Sequence, residues 1–431
     1  MSRTVSIRVP ALTRVEGEGA LELDVQDGRI AHLALRIFEP PRYFEKFLEG
    51  RPAEDVLDTV ARICGICPVA YQMSAVLALE QALGVEVDPW VRAMRRVFYC
   101  GEWIQSHALH IHLLAAPDFL GYDSAIAMAK EHGELVRRGL RLQALGNAIL
   151  AFFGGRSVHP VGARIGGFHR APEPQAANEL LRRLQGGLDD AAALAQWAAA
   201  LDLPEDEQRF TLVSADKDPN GAYPMMGTEL TSNLGLRIRA EHWEEHFRET
   251  HVPHSTALFC HLQGMPYLVG PLARLNLHHR GLHPATAKLL ADAPLSLPSR
   301  NMFHSLPARA LELHHALATA TDLLAEYRFP ERPYIPYQAR AGEGYGVTEA
   351  PRGTLWHHYA LDHRGHVTRA RIVPPTSQNQ ARMEEDLRQS LERFGLGQDE
   401  ERLRLHSETV IRNYDPCISC ATHFLKLKIR S

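Results

Sequence analysis

The stretch RICGICPVAY, residues 62–71, places Cys64 and Cys67 in a CxxC at the head of a helical pattern. Near the other end DPCISCATHF, residues 415–424, repeats the arrangement with Cys417 and Cys420 and adds His423. The two sulfurs of one CxxC can converge on a single ion, so each pair is a half-site. Two half-sites make a four-thiolate site, and soft sulfur ligands select zinc, iron–sulfur clusters, copper(I) or nickel. Zinc ribbons keep their pairs close in sequence, whereas 353 positions separate Cys64 from Cys417. A shared site therefore joins the two ends of the fold and needs the core built first. Asp415-Pro416 has the form of a helix N-cap followed by a first-turn proline, and Pro68 stands just after Cys67. Helix starts at both pairs would aim partial positive charge at the sulfurs and favour thiolate. A zinc staple between the termini and two unrelated buried pairs are the plainer readings.

Composition narrows the surroundings. A chain of 431 residues with only six cysteines is no disulfide scaffold, and 24 histidines keep metal chemistry open. A formal charge of -4 argues against nucleic acid or an anionic membrane as partner. No apolar run approaches the ~20 residues of a membrane span. MSRTVSIRVP lacks a secretory signal, so a cytoplasmic location is expected, although export beside a signal-bearing partner would look the same.

Local patterns predict an α+β, mainly α chain with a central helix bundle and small β-sheet elements, organised as one domain over residues 1–431. Residues 1–40 read as a β-hairpin region, with ALELDV and IAHLALRIF alternating about the turn QDGR. A second hairpin is expected in LWHHYALD and HVTRARIV. Helical spacing runs from Pro68 to a stop at Gly84, from about Val91 to Ala115, and through GELVRRGLRLQALGNAILAFF. PQAANELLRRLQGGLDDAAALAQWAAALDL reads as one long helix or two, and PATAKLLADA, ALELHHALATATDLLAEY and MEEDLRQSLERFG as further helices.

RICGIC and DPCISCATH closely resemble the paired signatures of the nickel–iron hydrogenase large subunit. The resemblance runs the length of the chain: TRVEGEG, EKFLEGR, GGRSVHP with GGFHR, EAPRG and VPPTSQN fall in the family's order, the last two as its late loops. It implies that family's fold, with Cys64, Cys67, Cys417 and Cys420 on nickel and Cys67 and Cys420 bridging to an iron that carries carbon monoxide and cyanide. It implies too that Glu16 passes protons between a cysteine and solvent, a task for which heterolytic hydrogen cleavage needs a base within reach. Arg352 is implied over the reacting position and Thr376 as donor to a second cyanide. Glu45, the Ile372 carbonyl and His423 are implied as ligands of a magnesium-like ion. Taken singly, Glu16 and Glu45 would pass for ordinary surface carboxylates and Arg352 for a surface ion pair.

Around these, Tyr71, His107 and Asp415 are expected to support the ligands. Tyr71 departs from the family, which usually writes histidine there; tyrosine keeps a donor but loses the second ring nitrogen, so redox tuning is expected to shift. His107, His110 and His112 are read as packing and hydrogen-bonding histidines, and Ser106 stands where some relatives carry aspartate. Cys100 and Cys260 are read as core filling. The end FLKLKIRS, residues 424–431, is either a short processed extension or a retained strand.

The resemblance thus implies reversible hydrogen oxidation, most like the soluble bidirectional NAD(P)-linked and sulfhydrogenase branch. No cysteines remain here for an electron chain, so an iron–sulfur small subunit is implied, with flavin and NAD(P) in diaphorase subunits. A maturation protease and metal-insertion proteins complete the implied partners. A non-catalytic scaffold of the same fold and a zinc-stabilised subunit are the alternatives.

Overall fold

The structure is a computed structural model that describes residues 4–216 and 222–422. Its first layer is the antiparallel sheet β1 (Thr4–Val9), β2 (Gly19–Gln26) and β3 (Arg29–Ile37). The register sets Ile7 against Leu23 and Leu21 against Leu35, so alternate apolar residues share one buried face. Asp27 and Gly28, with φ of 51° and 74°, make the tight turn that the Asp-Gly pair predicts.

The metal-bearing half is built on helices. Short α1 (Phe44–Leu48) precedes α2 (Pro68–Leu83), which stops at Gly84 as expected. Helix α3 (Pro89–Leu109) is capped by the Asp88 side chain on Val91 N–H at 2.8 Å. It passes into a π-helical turn at His110–Ala115 rather than continuing as α-helix. Helix α4 (Gly133–Gly154) packs on α3. The long PQAAN segment resolves into α5 (Pro174–Gln185) and α6 (Leu188–Ala199), broken at Gly186-Gly187. Helix α7 (Pro271–His278) and the buried α8 (Ser305–Ala325) complete the bundle. The expected mainly α architecture is what forms.

Three elements depart from the sequence reading. The late hairpin has a third strand: β4 (Gly342–Ala350) pairs with β5 (Gly353–Leu361), which pairs with β6 (Val367–Val373). Strand β4 escapes detection because its glycines blur the alternation. They are there for contact with α2: a Cβ at Gly344 would lie 1.9 Å from the Ala78 carbonyl oxygen. VPPTSQN is not a loop throughout, since α9 (Pro375–Phe394) starts at its second proline. Helix α10 (Glu400–Asn413) also went unrecognised, its charged face outnumbering a narrow apolar stripe.

Candidate metal centre

Both ends of the chain meet over α2. Residue 16 bridges in parallel to Cys417, with Ile418 N–H on the Glu16 carbonyl at 2.9 Å. Arg42 then joins the two cysteine loops, donating to the Ile63 carbonyl at 2.7 Å and to the carbonyl of Ser419. The result is a buried cage in which all four cysteine sulfurs lie within 4.8 Å of one another. Within the pairs the sulfurs are 2.8 Å (Cys64–Cys67) and 2.7 Å (Cys417–Cys420) apart, and across the pairs 3.5 Å and 3.7 Å. Metal–sulfur bonds of about 2.3 Å put two sulfurs on one ion at most about 4.6 Å apart, so this donor set suits a shared soft metal. Burial opposes ionisation at every one of the four. At Cys64 the hydrogen bonds from the other three thiols outweigh it and pull the thiol well below its usual range, while Cys67 and Cys417 are pushed well above theirs. Four thiolates this close require a bound cation to coexist. Among the described residues no other group of three or more such side chains has ligand spacing.

The expected helix starts are only half present. At the first pair α2 does begin at Pro68, but the N–H groups of Val69 and Ala70 are taken by Glu102 at 2.6 and 3.0 Å. At the second pair Asp415 caps nothing. It sits at φ 56°, and among the described residues it is followed by a 3-10 turn, Ser419–Thr422, and no α-helix. Its carboxylate is spent elsewhere, on Arg352.

Arg352 occupies the tip of the β4–β5 hairpin, a two-residue turn closed by the Ala350–Gly353 pair. Its Nε donates to the Asp415 carbonyl at 2.9 Å, its Nη2 to Asp415 Oδ1 at 3.1 Å, and its Nη1 lies 3.5 Å from Ser106 Oγ. Burial alone would lower the guanidinium's pKa; Asp415 and the neighbouring sulfurs outweigh it and raise it. Burial likewise favours a neutral Asp415, and Arg352 reverses that. The turn is held from behind by residues that no motif announced. Arg274 donates to the carbonyls of Ala350 (2.8 Å) and Pro351 (3.2 Å) while pairing with Glu312 (2.7 Å) and Glu349 (2.9 Å), all fully buried. Arg309 adds a bond to the Pro351 carbonyl at 3.3 Å.

Glu16 meets the cage directly: its Oε2 accepts from Cys417 Sγ and from Ser419 N–H, each at 3.1 Å. Burial, with Cys64 adding to it, raises this carboxyl's pKa. From Ser419 the chain of bonds goes on outward, its Oγ donating to Glu39 Oε2 at 2.8 Å, with Arg42 3.9 Å from Glu39. Gly17 makes room for this: at φ 88°, an added Cβ would stand 2.8 Å from Glu39 Oε2.

Thr376, in the first turn of α9, accepts from Cys417 N–H at 3.0 Å, which leaves its own O–H to donate. Tyr71 lies one helical turn beyond Cys67. Its ring packs on His357 at 5.7 Å and its buried hydroxyl makes no hydrogen bond among the described residues. Glu45 and Ile372 come together, but through the Ile372 N–H, which donates to Glu45 Oε1 at 2.7 Å. His423 lies outside the described residues, as do residues 424–431.

His107, His110 and His112 are buried. His107 Nε2 is 3.1 Å from Glu312 and His110 Nε2 is 2.9 Å from the Arg412 carbonyl. Burial lowers His107, His110 and His112 to about 4, so all three are neutral. Cys100 and Cys260 are buried, the latter accepting from Tyr267 O–H at 3.2 Å. No long, apolar helix able to cross a membrane occurs among the described residues.

Comparison with known proteins agrees with this geometry. The family profile described as nickel-dependent hydrogenase matches residues 42–138 and 261–423. The alpha subunit of sulfhydrogenase 2 from Pyrococcus furiosus is 35% identical over 98% of this chain and 100% of its own length. The beta subunit of the NAD-reducing hydrogenase HoxS from Cupriavidus necator is 29% identical over 99% of this chain and 96% of its own. An NAD+-reducing [NiFe]-hydrogenase in the H2-reduced state superposes with a TM-score of 0.87 at 28% identity, covering 98% of this chain and 99% of that one. With its four cysteines brought into one buried cage, the chain belongs to the nickel-dependent hydrogenase family, in which it is the catalytic large subunit, with relatives on the sulfhydrogenase and NAD-linked branch.

Proposed function

We propose that the cage holds a nickel–iron centre whose iron carries carbon monoxide and cyanide, with all four cysteines on nickel and Cys67 and Cys420 also on iron. One observation carries this reading: a buried guanidinium and a carboxylate, Arg352 and Glu16, both stand at a four-sulfur cage. A zinc staple needs neither. When bound, the centre supplies the place where hydrogen is split heterolytically. Glu16 Oε2, 3.1 Å from Cys417 Sγ, receives the proton, and the Ser419 N–H holds the carboxylate in place. Arg352 keeps its charge throughout and uses the N–H groups that Asp415 leaves over to polarise and orient, as Thr376 does with its O–H. Glu45, the Ile372 carbonyl and His423 hold a magnesium-like ion.

Electrons leave past Cys64, which is buried while its chain neighbours Arg62 and Gly65 are exposed. An iron–sulfur small subunit docks there and passes them to flavin- and NAD(P)-binding diaphorase subunits. The chain works as one large-subunit domain in the cytoplasm, and a maturation protease and metal-insertion proteins act on it before assembly. An infrared spectrum of the complex purified from its host tests the reading. Carbon monoxide and cyanide stretches are expected; a well-folded complex without them, holding zinc on elemental analysis, would overturn it.

A further inference from the structure

A helix such as α2 begins with N–H groups that have no partner inside the helix, and the N-cap side chain ordinarily accepts from one of them. Here the N-cap position is Cys67, and it makes no capping bond. Its sulfur faces Cys64 at 2.8 Å and Cys420 at 3.7 Å instead. Serine or aspartate at position 67 would cap the helix and forfeit a ligand. Pro68 has no N–H to satisfy, so the exposed need falls on Val69 and Ala70.

Glu102 meets that need from another helix. It is 0% exposed, and each of its two oxygens is spent on one of these N–H groups, at 2.6 Å for Val69 and 3.0 Å for Ala70. One turn further along α3, Gln105 Nε2 donates to the Ile66 carbonyl at 2.6 Å, inside the CxxC itself. Ser106, beside it, is the residue that Arg352 Nη1 approaches. One face of α3 thus touches the head of α2, the first cysteine loop and the arginine.

We infer that Glu102, with Gln105, is a positioning residue of the nickel site: it caps α2 from outside so that Cys67 is free to be a ligand, and so sets the Cys64–Cys67 half-site before metal arrives. The inference rests on the reading of the four sulfurs as the nickel site. Without Glu102, two buried N–H groups at the first turn lose their acceptor, the turn frays, and Cys67 no longer returns to one position relative to Cys420.

The test is nickel per chain, together with the carbon monoxide and cyanide bands, in the purified complex carrying Glu102→Leu, Glu102→Gln or Gln105→Leu. Glu102→Leu is expected to lower nickel content roughly 10-fold, the scale on which supporting residues govern metal affinity. Glu102→Gln, which keeps one acceptor oxygen, should recover part of that, and the bands of whatever centre remains should shift and broaden in both. Gln105→Leu should move the bands in the same direction by less. If Glu102→Leu does not fold, the other two variants decide. Wild-type nickel content with unmoved bands in the folded variants would overturn the inference. An unmodified complex that holds no nickel would instead overturn the reading of the site.

Discussion

The guanidinium of Arg352 is held 3.1 Å from Asp415 Oδ1, with its Nε on the Asp415 carbonyl, so a hairpin tip and the second cysteine loop are locked together across 63 positions of chain. Both side chains are only 2% exposed, so neither charge has water to fall back on. Removing one partner of a buried pair costs about 3–5 kcal/mol. Asp415→Asn is therefore expected to lower the unfolding free energy by about that much in a denaturant titration. Arg352→Lys keeps a charge but loses the fork that spans carbonyl and carboxylate. Hydrogen oxidation by the complex should fall roughly 100-fold, as when one preorganised donor is lost, while nickel content holds.

Glu16 is the one carboxylate bonded to a cage sulfur in the described residues. Glu16→Gln keeps the acceptor for Ser419 N–H but cannot take up a proton. Nickel insertion is expected to be normal and hydrogen–deuterium exchange between gas and solvent to fall roughly 100-fold or more, the range of a lost general base. Exchange at the wild-type rate would remove Glu16 from the proton route.

Among the described residues the hydroxyl of Tyr71 is buried without a partner, an arrangement that costs stability rather than adding it. Tyr71→Phe should therefore keep its nickel and raise the unfolding free energy by about 1 kcal/mol. Tyr71→His brings two ring nitrogens to the same place and is expected to move the midpoint potential and the response to oxygen. Identical potentials in wild type and Tyr71→His would show that this position does not tune the centre.

His112 packs against Gly139 with Nδ1 on the Ala108 carbonyl at 2.9 Å, and burial lowers it from 6.5 to about 4. A histidine lowered in the fold adds stability that is complete above its unfolded value and is lost as pH falls toward the folded one. The chain is thus expected to lose stability between pH 6.5 and about 4, with His112 contributing on the order of 3 kcal/mol. Melting profiles across this range should show a shallower slope for His112→Gln.

The site was legible wherever a side chain's chemistry is written beside its neighbours in sequence. Cys64 with Cys67, and Cys417 with Cys420, declare paired ligands by spacing alone, and Glu16, Arg352 and Thr376 stand in short motifs that keep their form. Helices rich in alanine and leucine, such as Pro68–Leu83 and Ser305–Ala325, were legible for the same local reason. Strand Gly342–Ala350 was not, because its glycines answer to the Ala78 carbonyl on another element.

By itself, then, the sequence determined the two cysteine pairs that meet in the cage, the mainly helical class and the family. Tertiary structure alone decided what supports them. Glu102, Gln105, Arg42 and Arg274 belong to no motif, because each acts on a peptide group far away in the chain: 33 positions from Glu102 to Val69, 76 from Arg274 to Ala350. The same holds for Asp415, whose local pattern promised a helix cap. A buried guanidinium needs a carboxylate more than a short turn does, and only the folded chain brings the two within reach.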